Sequence, residues 1–276
     1  MNQNMVNNDF SLRASGELKL LICEPLERAG FKNAFSTRLG GVSSLPSHSL
    51  SLGNFRQDSH ENILENRRRF LVALGTNDWA LVTASQIHSA DVRSVQDELD
   101  ACREPSPCDA LTANISRTLL AVQTADCMPI LLVDKRSRAF AAVHAGWRGT
   151  LACIVSRTLE RMQLTYDTRP EDVCAAFGPS IAACCFEVGP EVIAQFEQTF
   201  SSGQQAASRR QADGKAHLSL GFINRQLLLD AGVHAEQIYD CALCTSCKND
   251  LFFSYRRERG AEQVVGRMMG VVGREV

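Results

Sequence analysis

Three apolar runs of strand length follow one another in mid-chain: "LLAVQT" (119–124), "PILLVD" (129–134) and "AFAAVH" (139–144). Each is shorter than a typical helix and bounded by polar residues, so each reads as a strand. The "DKRSR" segment between the second and third is a tight turn, which makes those two a hairpin. A hairpin this central excludes a purely parallel, doubly wound sheet. Around it, helical patterns alternate with strands. Residues 60 to 75 carry Ile63, Leu64, Arg67, Phe70, Leu71 and Leu74 on one face, with Ser59 as N-cap and Gly75 as the residue after the helix. A helix is expected over 148–162, with Leu151, Ile154, Val155, Thr158, Leu159 and Met162 facing inward. Further strands are expected at 173–177, 237–243 and 263–272, and further helices at 190–200 and 220–231. The expected fold is α/β, with a mixed sheet layered with helices.

The 276 residues can build one large domain or two small ones, and no linker divides them. The expectation is therefore a tail over residues 1–18, polar and disordered, followed by a single domain over 19–276. Residues 201–216, "SSGQQAASRRQADGKA", read as a surface loop within that domain. Hydrophobic residues make up 45% and the net charge is −2, a balance that argues against an obligate nucleic-acid binder. The apolar runs are too short to span a bilayer. The first residues lack the basic flank and apolar core of a signal peptide, which points to the cytoplasm. In that reducing setting the eleven cysteines are expected as free thiols.

Candidate chemistry sits at the strand ends. His88 lies in "QIHSADV", Asp126 and Cys127 in "TADCMPILLVD", and His144 in "VHAGWRGT". Hairpin geometry sets the start of one strand beside the end of the next, so Cys127 and His144 can be neighbours. Two imidazoles and a thiolate suit zinc, and three protein ligands leave the open position of a catalytic site. Copper accepts the same donors. A metal-free reading makes Cys127 a nucleophile with a histidine as base. The plainest reading leaves both histidines as hydrogen-bonded structural residues. After His144, Gly146 and Gly149 permit a sharp turn into a helix whose first N–H groups could meet an anion. Arg38 in "FSTRLGG" and Arg256 in "FFSYRRERG" are candidates for a phosphate or sugar. The "NRRRF" run reads as a solvated helix face.

Cys241, Cys244 and Cys247 in "CALCTSC" have CxxCxxC spacing, but Leu251 stands where a ferredoxin-like fourth cysteine would follow. These three, and Cys184–Cys185, are expected as packing thiols.

The ordered set "FSTRLGGVS", "SLSLGNF", "ENRRRF", "QIHSADV", "DALTAN", "TADCMPILLVD", "VHAGWRGT", "FGPSIAACCFEVG" and "FFSYRRERG" resembles the YfiH/LACC1-like family. That family also carries the names multicopper polyphenol oxidoreductase and peptidoglycan editing factor. The resemblance implies a fold shared with cysteine-deamidase toxins and a zinc site made by His88, Cys127 and His144. It further implies purine nucleoside phosphorylase activity on adenosine, guanosine, inosine or methylthioadenosine, with adenosine deaminase activity. Purine nucleoside and phosphate would be the partners, with neither nucleic acid nor membrane. The alternatives it leaves are a copper-dependent, laccase-like polyphenol oxidase, a Cys–His amidase acting on peptidoglycan precursors, and a non-catalytic binding protein. Laccase chemistry takes several coppers and many histidines, and this chain has six. The sequence departs from the family pattern near residues 54–58, where "NFRQDS" stands.

Overall fold

A computed structural model describes residues 6–44, 49–53, 58–259 and 265–276. Residues 54–57 of the departure noted above lie outside them. Two six-stranded sheets form the centre. The first runs Phe10–Ser15, Leu18–Cys23, Lys32–Ser36, Met268–Arg274, Thr118–Thr124 and Ala80–Thr83. The second runs Ile238–Asp240, Val173–Phe177, Met128–Asp134, Phe140–Ala145, Ala110–Ala113 and Val92–Ser94. Both mix parallel and antiparallel pairs, as in Ala80–Thr83 parallel to Thr118–Thr124 beside the antiparallel hairpin.

Period-two alternation explains why the central runs are apolar throughout. In strand 128–134, Leu131 and Val133 join the core between the sheets, where they meet Phe10, Leu21, Phe35, Leu120 and Val272. Ile130 and Leu132 point the other way, onto Ile154, Val155, Leu159 and Met162 of helix Ile154–Tyr166. Both faces are covered, so neither can be polar. The outer face of the first sheet packs through Ala34, Leu119, Ala121 and Val271 on Phe70 of helix His60–Leu74. Fully burying a side chain of Phe70's size contributes roughly 1.5–3 kcal/mol. The layers are therefore helix, sheet, sheet, helix. A small third sheet pairs Glu187–Val188, Ala216–Leu218 and Ala207–Ser208 to one side.

Helix His60–Leu74 ends as expected. Ser59 Oγ accepts the Asn62 N–H at 3.1 Å, and Gly75 adopts φ 71°. Arg68 and Arg69 pair with Glu65 on its outer face, whereas Arg67 turns in and donates to the Leu52 carbonyl at 2.9 Å.

Four expectations are corrected. First, the hairpin strands 129–134 and 139–144 share a sheet, but 119–124 belongs to the other one. The α/β class with mixed sheets layered with helices holds, but its strands divide between two stacked sheets. Second, residues 10–15 of the expected tail form an edge strand, Phe10 opposite Cys23, with Phe10 fully buried. The alternation of Phe10 and Leu12 with Ser11 and Arg13 was the signal for it. Third, the expected helix 148–162 is two helices, Trp147–Leu151 and Ile154–Tyr166, separated where Cys153 takes φ 58°. Fourth, the loop expected over 201–216 contributes the short helix Gly203–Ala206 and part of the third sheet.

Candidate active site

The chain passes from the first sheet to the second in several places, and two of these crossings meet. Residues 84–91 cross between strands 80–83 and 92–94 and carry His88. Residues 125–127 cross between strands 118–124 and 128–134 and carry Asp126 and Cys127. Both crossings are tight, and His88 (φ 60°) and Asp126 (φ 86°) sit in the left-handed region that side chains usually avoid. His144 reaches the same point along its strand. It pairs opposite Pro129 and is the next residue on the face of Phe140 and Ala142, turned toward the first sheet.

The His88, Cys127 and His144 donor atoms all lie within 4.8 Å of one another. The two imidazole rings are 4.9 Å apart, inclined at 67°. His144 is buried, Cys127 half-buried and His88 exposed, so the group opens in one direction. Gly146 fits closely against it. A Cβ there would sit 3.0 Å from His88 Nδ1 and 3.1 Å from Cys127 Sγ. Two imidazoles and one thiol, converging with space kept clear beside them, fit a zinc ion with three protein ligands.

Asp109, which sequence reasoning did not single out, organises the site. It is fully buried, and its Oδ1 lies 2.7 Å from His144 Nδ1. It also accepts the backbone N–H groups of Ile87, His88 and Ser89 at 3.1, 3.0 and 2.7 Å. One carboxylate thus holds the left-handed turn at His88 and fixes the ring of His144, leaving Nε2 for the site. Burial opposes the Asp109 charge, but His144 and the N–H groups outweigh it and hold the carboxyl at about 2. Burial likewise opposes the Cys127 thiolate, and the two histidines overcome it, bringing the thiol to about 6. His144 is driven the other way, to about 9, since Cys127 and Asp109 outweigh the burial that disfavours its charge. The signal available in the sequence was the acid of "DALTAN", one residue before the strand that pairs with His144's own.

A cavity of about 580 Å³ opens over the three residues. Its walls include Trp147, Phe186 and Tyr255, and also Arg256, Arg259 and Arg267. Arg256 lies where a candidate binding residue was expected; Arg259 and Arg267 were not foreseen. Arg38 is a correction. It does not line the cavity: its guanidinium is buried against Glu258 Oε1 at 2.9 Å, donates to the Asn249 carbonyl, and lies over the Phe253 ring. Asp126 is committed to positioning. Its carboxylate accepts Thr245 Oγ1–H and the Arg256 N–H, both at 2.6 Å. The helix after Gly146 is only five residues long, so its dipole gives little support to the anion site expected there.

The fold and site define a class: a two-sheet α/β enzyme with an open His–Cys–His centre under a cationic, aromatic cavity. Residues 32–275 match the family model described as multi-copper polyphenol oxidoreductase laccase. The chain belongs to this family of enzymes. A purine nucleoside phosphorylase of Deinococcus radiodurans is 38% identical over 90% of this chain and 92% of its own. An adenosine deaminase from an unknown prokaryotic organism is 36% identical over 81% and 88% of the two chains. The crystal structure of YlmD from Geobacillus stearothermophilus superposes with a TM-score of 0.89 at 32% identity, covering 98% of this chain and all of that one.

Proposed function

We propose that this protein is a zinc-dependent purine nucleoside phosphorylase with adenosine deaminase activity. The observation that carries the reading is the convergence of His88, Cys127 and His144 in a cavity whose lining interleaves aromatic rings with arginines. The names of the relatives support the same reading.

His88, Cys127 and His144 would hold the zinc, which would supply a Lewis acid working at neutral pH. Asp109 keeps His144 in the tautomer that offers Nε2. Tyr255 and the aromatic edges of Trp147 and Phe186 would meet a purine, and Arg259, with the part of the Arg256 guanidinium that does not bind the Cys185 carbonyl, would meet phosphate. In phosphorolysis a phosphate oxygen bonds to the ribose anomeric carbon. The bond from that carbon to the purine nitrogen breaks, and its electron pair leaves with the base, which takes up a proton. In deamination, water adds at C6 of adenine and ammonia leaves.

The test is chromatography of products from adenosine and inosine with and without phosphate. Base release only with phosphate, together with ribose 1-phosphate, is the expected outcome. Equally fast base release without phosphate would mean hydrolysis. One observation favours a second reading, a Cys–His amidase: Cys127 Sγ lies within 4.8 Å of His144, whose other nitrogen is 2.7 Å from Asp109, a nucleophile–base–acid order in which the histidines favour the thiolate. Absence of base release from zinc-loaded protein would move the assignment there.

A further inference from the structure

Four cysteines outside the active site come together in space. Cys184 and Cys185 lie in the turn after strand 173–177, and Cys244 and Cys247 lie in the turns after strand 238–240. Their sulfur atoms are all within 4.8 Å of one another, with Cys247 Sγ 3.5 Å from Cys184 Sγ and 3.4 Å from Cys185 Sγ. This corrects the expectation that these thiols are packing residues. Cys241 fits it, buried in the core between the sheets; Cys244 is buried too but meets the other three sulfurs, Cys185 is half-buried, and Cys184 and Cys247 are exposed. The CxxCxxC pattern thus divides. Its first member is core, and its other two face a pair some sixty residues earlier in the chain.

We infer that Cys184, Cys185, Cys244 and Cys247 form a second, structural metal site, a tetrathiolate that takes one zinc ion. A tetrahedron with metal–sulfur bonds of about 2.3 Å has sulfur–sulfur edges of about 3.8 Å, and the four thiols are gathered on this scale. A four-iron cluster would spread them further, because each sulfur would bind a different iron. All-sulfur, four-donor sites select zinc among the common divalent ions and are closed, with no position for substrate.

The surroundings suit such a site independently of the sulfur spacing. The Ala182 N–H points at Cys244 Sγ at 3.4 Å, a donor placed for a thiolate. Four thiolates around one dication leave excess negative charge, and three guanidinium groups are tied to the same loops. Arg209 donates to the Cys184 carbonyl, Arg256 to the Cys185 carbonyl and Arg257 to the Ser246 carbonyl. The backbone sets the two loops side by side. Ser180 and Cys244 pair as an isolated parallel bridge, with Ser180 N–H on the Leu243 carbonyl and Thr245 N–H on the Ser180 carbonyl.

The site is a clip behind the cavity wall. Ile181, Phe186 and Arg256 line the cavity, and the clipped loops meet Asp126 through the Ile181 N–H and Thr245. The metal therefore holds the wall to the crossing that carries Cys127.

Three measurements on the full chain test this. Protein purified under reducing conditions, supplied with zinc and desalted, is expected to hold about two zinc ions per chain. His88→Ala/Cys127→Ala/His144→Ala protein should keep about one, and Cys184→Ser/Cys247→Ser protein should also keep about one. The second measurement is alkylation of wild type by iodoacetamide with mapping by mass spectrometry. Zinc should protect Cys184, Cys185, Cys244 and Cys247 together, and a chelator should expose them together. Cobalt in the triple variant should give thiolate-to-metal charge-transfer bands. If these four cysteines alkylate equally fast with and without zinc, or are recovered as a disulfide from reduced protein, the inference is overturned. Because the triple variant lacks the catalytic ligands, the outcome does not depend on the proposed nucleoside chemistry.

Discussion

The two sulfur clusters of this protein differ in what surrounds them. At the sheet crossings, one thiol is joined by two imidazoles, backed by the buried Asp109, and open to the cavity. On the outer loops, four thiols stand alone, with guanidinium groups tied to the loop carbonyls. Three donors leave room for substrate, and four leave none. The same element can therefore serve reactivity in one place and rigidity in another, and donor count and support decide which.

The sharpest way to break this contrast is to remove a ligand from the open cluster. Cys127→Ala and His144→Ala should each abolish phosphorolysis while leaving one zinc on the four thiols, read by metal analysis alongside product assays. Retention of full activity in either would end the assignment of the open cluster. Asp109→Asn should cost about 10–100-fold in zinc affinity or activity, because the ring of His144 loses its anchor, with no change in the outer site. An effect on both sites alike would mean general destabilisation.

Arginine substitutions separate the cavity from its frame. Arg259→Ala should raise KM for phosphate by about tenfold, the loss of one charge-assisted hydrogen bond, with kcat less affected. Arg38→Ala should leave that KM unchanged and lower stability by about 3 kcal/mol in urea unfolding, since Glu258 loses its largely buried partner. A KM effect at Arg38 would restore the binding role the sequence suggested.

The smallest effect concerns pH. In metal-free protein Cys127 should alkylate roughly tenfold faster at pH 7 than at pH 5, following the thiolate that forms above about 6. Partial desolvation of the sulfur and the neighbouring thiols of Cys244, Cys247 and Cys185 raise the Cys184 thiol instead, so its rate should climb only under alkaline conditions. A Cys127 profile with an ordinary thiol midpoint would show that the histidines do not hold its charge.

The open cluster was legible because Cys127 opens one strand of the hairpin and His144 closes the other, so register brings them together, whereas His88 in its polar crossing was marked by residue type alone. Helix 60–74 was legible to its caps. Asp109 was hidden because nothing local distinguishes an acid that caps a turn twenty residues away. The four-thiol cluster was hidden for a related reason. A search for a nearby fourth cysteine finds Leu251, while the actual partners arrive through a one-residue bridge between Ser180 and Cys244. The helix break at Cys153 was missed because Leu151 and Ile154 keep the spacing of one face across it. The second sheet was missed because continuous apolar strands do not reveal which strand neighbours which.

Strand 268–274 lies between strands 32–36 and 118–124, in the interior of the first sheet. During synthesis, every other strand of both sheets leaves the ribosome before it. Until it inserts, the first sheet is two separate ribbons with unpaired edges, and the crossings at 84–91 and 125–127 have no fixed frame. The crossing that carries Cys127 therefore gains its full frame only with the last strand in place. A chain ended before this strand is expected to expose two unpaired strand edges, 32–36 and 118–124, and to aggregate.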